Sequence, residues 1–168
     1  EIGSGTGQHA VYFSTALPRV DWQPSDRRDW LSGLAARCEA EGGSNLRTPI
    51  ELDVDGEWPG GVFDAVFSAN TLHIMGWPQV EAFFAGVGRA LQPGGLLLVY
   101  GPFRYRDSYT SASNATFDRQ LRVHDPASGI RDFEAVDALA AAQGLQLVAD
   151  HRMPANNQLL VWRAARDQ

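Results

Sequence analysis

There is no lysine in the 168 residues; all fourteen basic side chains are arginine. That excludes Schiff-base chemistry and the lysine a phosphate-binding P-loop requires. A single cysteine, Cys38, excludes an internal disulfide. It sits in a helical pattern beside Leu34 and Ala35, where a small buried apolar residue belongs, and it fits a reducing compartment such as the cytoplasm. The four histidines, His9, His73, His124 and His151, are scattered, so no metal site is expected. No apolar run approaches a membrane span, and nothing resembles a signal peptide. Positive charge is also short, with a net charge of −6. Apart from Arg27-Arg28 and Arg104/Arg106 the arginines are dispersed, so there is no basic stripe for a duplex nucleic acid. A small-molecule substrate is the partner that remains.

The chain opens on Glu1-Ile2-Gly3-Ser4-Gly5-Thr6-Gly7, and a helical stretch follows at once. Glycines at alternate positions let a strand turn into a helix and let a ligand lie against bare backbone. The dinucleotide fingerprint G-x-G-x-x-G/A wants Gly or Ala at position 8, where Gln8 stands. What is left is an acidic residue leading into G-x-G-x-G, the loop pattern of S-adenosyl-L-methionine (SAM) folds. The first strand's apolar residues are expected upstream of Glu1.

Hydrophobic periodicity gives an alternation of helices and strands. Helices are expected from Gln8 to about Leu17, after a Ser25 cap, after Pro78, and from Ala135 to Ala142 behind an Asp132 cap. Strands are expected at Val20–Gln23, Pro49–Val54, Phe63–Ser68, Leu96–Tyr100, Leu145–Ala149 and Gln158–Trp162. The stretch from Gly101 to Gly129 reads as a long irregular loop, and such loops usually form lids or binding surfaces. The fold class is therefore α/β and Rossmann-like. One domain with a mostly parallel sheet, helices on both faces and a C-terminal antiparallel hairpin is expected.

In such a sheet ligands bind beyond the carboxyl ends of the strands. Polar residues stand at four of those ends. Glu1 is placed for an amino-acid ammonium, directly or through water, and Gly3, Ser4, Gly5 and Gly7 for the cofactor backbone. Ser25 and Asp26 are placed for ribose hydroxyls, displaced by a residue or two because Pro24 takes the usual position. Asp53 with Val54 suits an adenine, and Asn70 with Thr71 the sulfonium. Each also has a plain structural role open to it, as a cap or a turn former.

More specific motifs lie further on. Asn114-x-x-Phe117-Asp118-x-x-Leu121-Arg122, Asp125-Pro126-x-x-Gly129-Ile130-Arg131-Asp132 and Met153-Pro154-Ala155-Asn156-Asn157 resemble the class I methyltransferase family catalogued as domain of unknown function 938. Trp22-Gln23-Pro24-Ser25-Asp26 and Ala69-Asn70-Thr71-Leu72-His73-Ile74 resemble it too. The resemblance implies a SAM-dependent methyltransferase fold and leaves the acceptor open.

Methyl transfer needs alignment, dryness and sometimes a base. His73 is the candidate base; the competing role is a histidine packed on Ile74 and Trp77. Tyr105, Tyr109, Asn114, Asp118, Arg122, Arg131, Asn156 and Asn157 are candidates for the acceptor pocket. Asp118, Arg122, Arg131 and Asp132 equally suit a salt-bridged clamp on the long loop. Two other readings compete with an enzyme of this kind. One is a non-catalytic module binding SAM or S-adenosylhomocysteine (SAH). The other is an NAD(P)-dependent oxidoreductase, which Gln8 and the missing lysine disfavour.

Overall fold

Helix α1 (Gln8–Ala16) starts directly after the glycine loop, in which Gly5 (φ 55°) and Gly7 (φ 81°) adopt the left-handed conformation that a Cβ disfavours. The computed structural model describes residues 1–166, and it divides into one unit spanning Glu1–Pro59 and another from Gly60 onward. In the first unit, β1 (Ser25–Asp26) runs parallel to β2 (Ile50–Glu51), with Ser25 opposite Ile50. Parallel bridges Ile2–Ser25 and Trp22–Leu46 extend that alignment. Helix α2 (Arg28–Glu41) packs on α1 through Ala10, Leu34 and Cys38, with Trp22 and Leu46 against them. A Cβ on Gly7 would lie 2.9 Å from Leu34 Cδ1, so this glycine serves the packing of one helix on the other.

Two expectations shift here. The strand sought at Val20–Gln23 contributes only the Trp22 bridge, and the ladder proper is Ser25–Asp26. Pro24 has no N–H to donate, which interrupts the ladder between them. Ser25 consequently lies in a strand and caps no helix; α2 takes Arg27 as its N-cap, without a side-chain bond.

In the second unit, β3 (Phe63–Ala69), α3 (Trp77–Ala90) and β4 (Leu91–Gly101) form a parallel β–α–β step. Then come β5 (Phe103–Tyr105), β6 (Ser108–Tyr109), α4 (Ala112–His124), β7 (Arg131–Asp132) and α5 (Phe133–Ala142). The chain closes with β8 (Leu145–Met153), a short 3-10 turn (Pro154–Asn156) and β9 (Asn157–Ala164). The larger sheet has the order β3-β4-β9-β8, with β9 antiparallel to both neighbours and β8 paired on one side only. This is the expected C-terminal hairpin, inserted so that its second strand lies inside. Phe83, Phe84, Leu97, Leu160 and Trp162 are fully buried. The one polar atom of Trp162, Nε1, donates to Asp137 Oδ1 at 2.8 Å, which removes the cost of burying it. No helix among the described residues is long and apolar enough to cross a membrane.

The stretch from Gly101 to Gly129 is not irregular. It holds a small hairpin and a 13-residue helix, α4, whose N-cap Ser111 accepts from the Asn114 amide at 3.1 Å. The buried residues of α4 are Asn114 and Asp118, both polar. An apolar stripe is therefore missing, and hydrophobic periodicity cannot reveal this helix. Asp132 does stand at the N-terminus of α5, but its side chain makes no capping bond. It accepts from Arg104 Nη2 at 2.6 Å instead.

Candidate cofactor and acceptor sites

The glycine loop is fastened to the end of β1 by backbone. Gly3 and Ser4 amides both donate to the Ser25 carbonyl, at 3.1 and 2.9 Å. Ser4 Oγ accepts from the Ser25 amide at 3.2 Å, and Ser25 Oγ donates to the Glu1 carbonyl at 2.7 Å. Ser4 and Ser25, both expected to touch a ligand, are thus buried and used to join loop and strand.

Asp26 does more. Its Oδ2 accepts from the Gly5 amide at 2.6 Å and its Oδ1 from the Arg27 amide at 2.8 Å. Each oxygen keeps a lone pair for a further donor. The strand continues through Asp26, so the carboxylate stands at the strand end itself, without the displacement expected from Pro24. Above Gly5 the space is open, since a Cβ built there meets no atom within 4 Å. That is a cradle a side chain would fill, and it fits a cofactor lying on bare backbone.

Glu1 has partners within the protein. Its side chain is only 2% exposed, accepts from Trp22 Nε1 at 2.9 Å and lies 4.0 Å from His9 Nδ1. The carboxylate thus braces the loop from within, and facing an ammonium directly would mean leaving those partners. Asp53 is exposed just past β2; its Oδ1 accepts from the Asp55 amide at 3.2 Å and its carbonyl from Gly56. Val54 is buried, and its carbonyl takes the Trp58 indole at 3.2 Å.

In the second unit, Asn70 ends β3 in a left-handed conformation (φ 57°), with its amide donating to the Tyr100 carbonyl. Asn is one of the few non-glycine residues that adopts this readily. Thr71 Oγ1 shares a hydrogen bond with Ser68 Oγ at 2.6 Å. His73, the candidate base, is buried, and its ring meets the edge of Phe117 at 5.4 Å. Ile74, one of the two residues expected to pack on it, faces outward. Burial, with the nearby Arg131 charge second, lowers the His73 pKa to about 4. The imidazole is neutral at pH 7, the form that accepts a proton, and its contact with Phe117 also gives it a packing role.

A stability consequence follows from that shift. In the unfolded chain the imidazole binds a proton near pH 6.5, whereas in the folded protein it resists until about pH 4. Between those values the unfolded state holds more protons, so stability falls as pH falls. The loss is on the order of 3 kcal/mol across the window. Urea unfolding at pH 7 and pH 4.5 should show it, with a reduced pH dependence in His73→Gln.

A cavity of about 540 Å³ lies wholly within the second unit. Four of the expected acceptor residues line it: Tyr105, Tyr109, Asn156 and Asn157. Asn114, Asp118 and Arg122 do not, because they are spent on building its wall. Asn114 Nδ2 donates to Thr110 Oγ1 and to the Asn156 carbonyl, at 2.9 and 3.0 Å. Asp118 accepts from Tyr109 Oη (2.7 Å), Arg122 Nε (2.8 Å) and the Ile130 amide (2.6 Å). Burial works against that carboxylate, but the bonds from Arg122, Tyr109 and Ile130 outweigh it and hold its pKa below the ordinary value.

The clamp is therefore real, with altered partners. Asp118 pairs with Arg122 and Asp132 with Arg104, while Arg131 donates to the carbonyls of Leu72, Met75 and Ala127. In the turn, Asn156 takes a left-handed conformation, whereas Asn157 Nδ2 donates to Tyr100 Oη at 3.1 Å and the Pro154 carbonyl at 3.3 Å. Asp150 and Arg152 also line the cavity and were not expected there. They stand at the end of β8, which runs four residues past Ala149, and the strand-end argument used for Asp53 and Asn70 would have found them.

Solved structures share this fold. An O-methyltransferase family protein from Burkholderia thailandensis superposes with a TM-score of 0.86 at 18% identity, over 99% of this chain and 50% of that one. The SAM-dependent methyltransferase SibL, in its apo form, gives 0.83 at 21% identity, over 98% and 49%. CalO1, a methyltransferase in calicheamicin biosynthesis solved in an SAH-bound form, gives 0.79 at 18%, over 98% and 48%. The chain spans about half the length of these proteins. The family model described as protein of unknown function DUF938 matches residues 1–164. With an α/β fold shared with SAM-dependent methyltransferases and a family match over nearly its whole length, the chain belongs to the DUF938 family.

Proposed function

We propose that this chain binds SAM and transfers its methyl group to a small-molecule acceptor. The observation that carries the reading is the open space above Gly5, next to a carboxylate, Asp26, that already grips the Gly5 amide. SAM, when bound, supplies a methyl carbon on a sulfonium: an acceptor lone pair bonds to that carbon, the C–S pair returns to sulfur to leave SAH, and the acceptor's proton passes to a base or to solvent. The residues supply position. Gly5 leaves room for the cofactor, Asp26 has lone pairs for ribose hydroxyls, and the exposed Asp53 carboxylate is placed for an adenine amino group. Tyr105, Tyr109, Asn156 and Asn157 offer the acceptor aromatic surface and uncharged hydrogen-bonding groups.

Isothermal titration separates this from a dinucleotide enzyme. SAM and SAH should bind and NAD should not; tight NAD binding without a SAM signal would sink the proposal. Labelled SAM with metabolite extracts separates it from a binding-only module. Asn157→Ala should leave SAH affinity within about twofold while lowering methyl transfer roughly tenfold or more, because it removes a cavity-lining amide together with the bonds to Tyr100 and Pro154 that hold the turn, and thermal melting reads the latter. Normal turnover in that variant would place the turn outside the acceptor site.

A further inference from the structure

We infer that the cavity of the second unit receives a small acceptor bearing one carboxylate, anchored by Arg152. The word acceptor rests on the methyltransferase reading; the carboxylate does not. Among the cavity's lining residues only Asp150 and Arg152 carry formal charge. Asp150 is committed, since its Oδ2 accepts from Tyr105 Oη at 2.7 Å. Arg152 is exposed and makes no side-chain hydrogen bond or ion pair with any described residue. Arg104 is taken by Asp132, Arg122 by Asp118 and Arg131 by three carbonyls, and none of these lines the cavity. The cavity therefore presents one uncommitted cation.

Its geometry favours a planar monoanion. A guanidinium offers two parallel N–H donors that match the two oxygens of a carboxylate. Asp150 and Arg152 are two apart on β8, so they share a face with Cα atoms roughly 6.5–7 Å apart. Either anion meets one free arginine and the neighbouring Asp150, but a phosphate with nearly two charges is repelled more by Asp150 and is only half balanced by one arginine, whereas a carboxylate is matched by it. Tyr105, whose phenol is held un-ionised by burial and by Asp150, adds no second negative charge. Around the anchor, Ser108, Thr110 and Asn156 can take hydroxyl or amide groups of the same ligand.

The test uses the full chain, ¹⁵N-labelled, titrated with 4-hydroxybenzoate and 3-hydroxybutyrate, with the carboxamide of each, and with phenyl phosphate. At least one carboxylate should shift the amides of Asp150–Gln158 and bind at least tenfold more tightly than its carboxamide. Arg152→Gln should erase that preference, and Arg152→Lys should keep part of it. Melting curves check that the exposed substitution leaves the fold intact. The inference is overturned if neither carboxylate shifts those amides, if Arg152→Gln binds them equally, or if phenyl phosphate binds more tightly. SAH is titrated into the same samples. Arg152-dependent carboxylate binding without SAH binding would keep the site and remove the methyltransferase reading; SAH binding without carboxylate binding would do the reverse.

Discussion

Gly5→Val is expected to lower SAH affinity at least a hundredfold, about 2.7 kcal/mol. A Cβ at Gly5 meets no protein atom within 4 Å, so the added carbon enters the open space proposed for the ligand. The backbone adds a separate cost, because φ is 55° and a β-branched residue is strained there by roughly 1–3 kcal/mol. Gly5→Ala isolates the two effects, with less strain and the same obstruction in part. Calorimetry reads the affinity and thermal melting reads the strain. Unchanged SAH binding in both variants would remove the loop from the cofactor site. Gly7→Ala should show the opposite pattern, with stability falling first, because its Cβ would press on Leu34.

Asp118→Ala is expected to destabilise the second unit by about 2–4 kcal/mol, a large share of a domain's stability. Three donors converge on this carboxylate, and its removal strands the buried Ile130 amide and the Tyr109 and Arg122 groups together. Urea denaturation checks the size of the loss. The pH dependence carries the sign: a carboxylate held below its ordinary pKa stabilises at neutral pH and gives that up as pH falls through the folded value. His73 acts in the same direction but higher, between about pH 6.5 and 4. Asp118→Asn should flatten only the lower part of the acid unfolding curve, and His73→Gln only the upper.

What could be read from the residues was whatever local geometry dictates. The Glu1–Gly7 spacing, the apolar run Leu96–Tyr100 and the closing hairpin all stand where the pattern puts them. Helix α4 escaped because its inward face is Asn114 and Asp118, whose worth lies in partners distant in sequence, such as Ile130 and Asn156. Ser25 and Glu1 were legible as polar residues at strand ends, but not the direction in which their polar atoms turn. A one-letter code shows that a serine is available; only the fold shows that its hydroxyl is taken by the Glu1 carbonyl. The free state of Arg152 is the converse case, visible only once the partners of Arg104, Arg122 and Arg131 are known.

Strand β8 ends the four-stranded sheet, with no partner on its other side among the described residues. The outward-facing backbone donors and acceptors of this nine-residue strand are a template on which another polypeptide can add itself. Here the ladder slips between Leu147 and Ala149, and Asp150-His151-Arg152 follow directly, all exposed. The kink spoils the template's flatness, and the charged groups resist a second strand. Arg152, proposed to hold a ligand, therefore also helps protect the protein against self-association together with Asp150, and a variant neutral at Asp150 and Arg152 should precipitate at concentrations the parent tolerates.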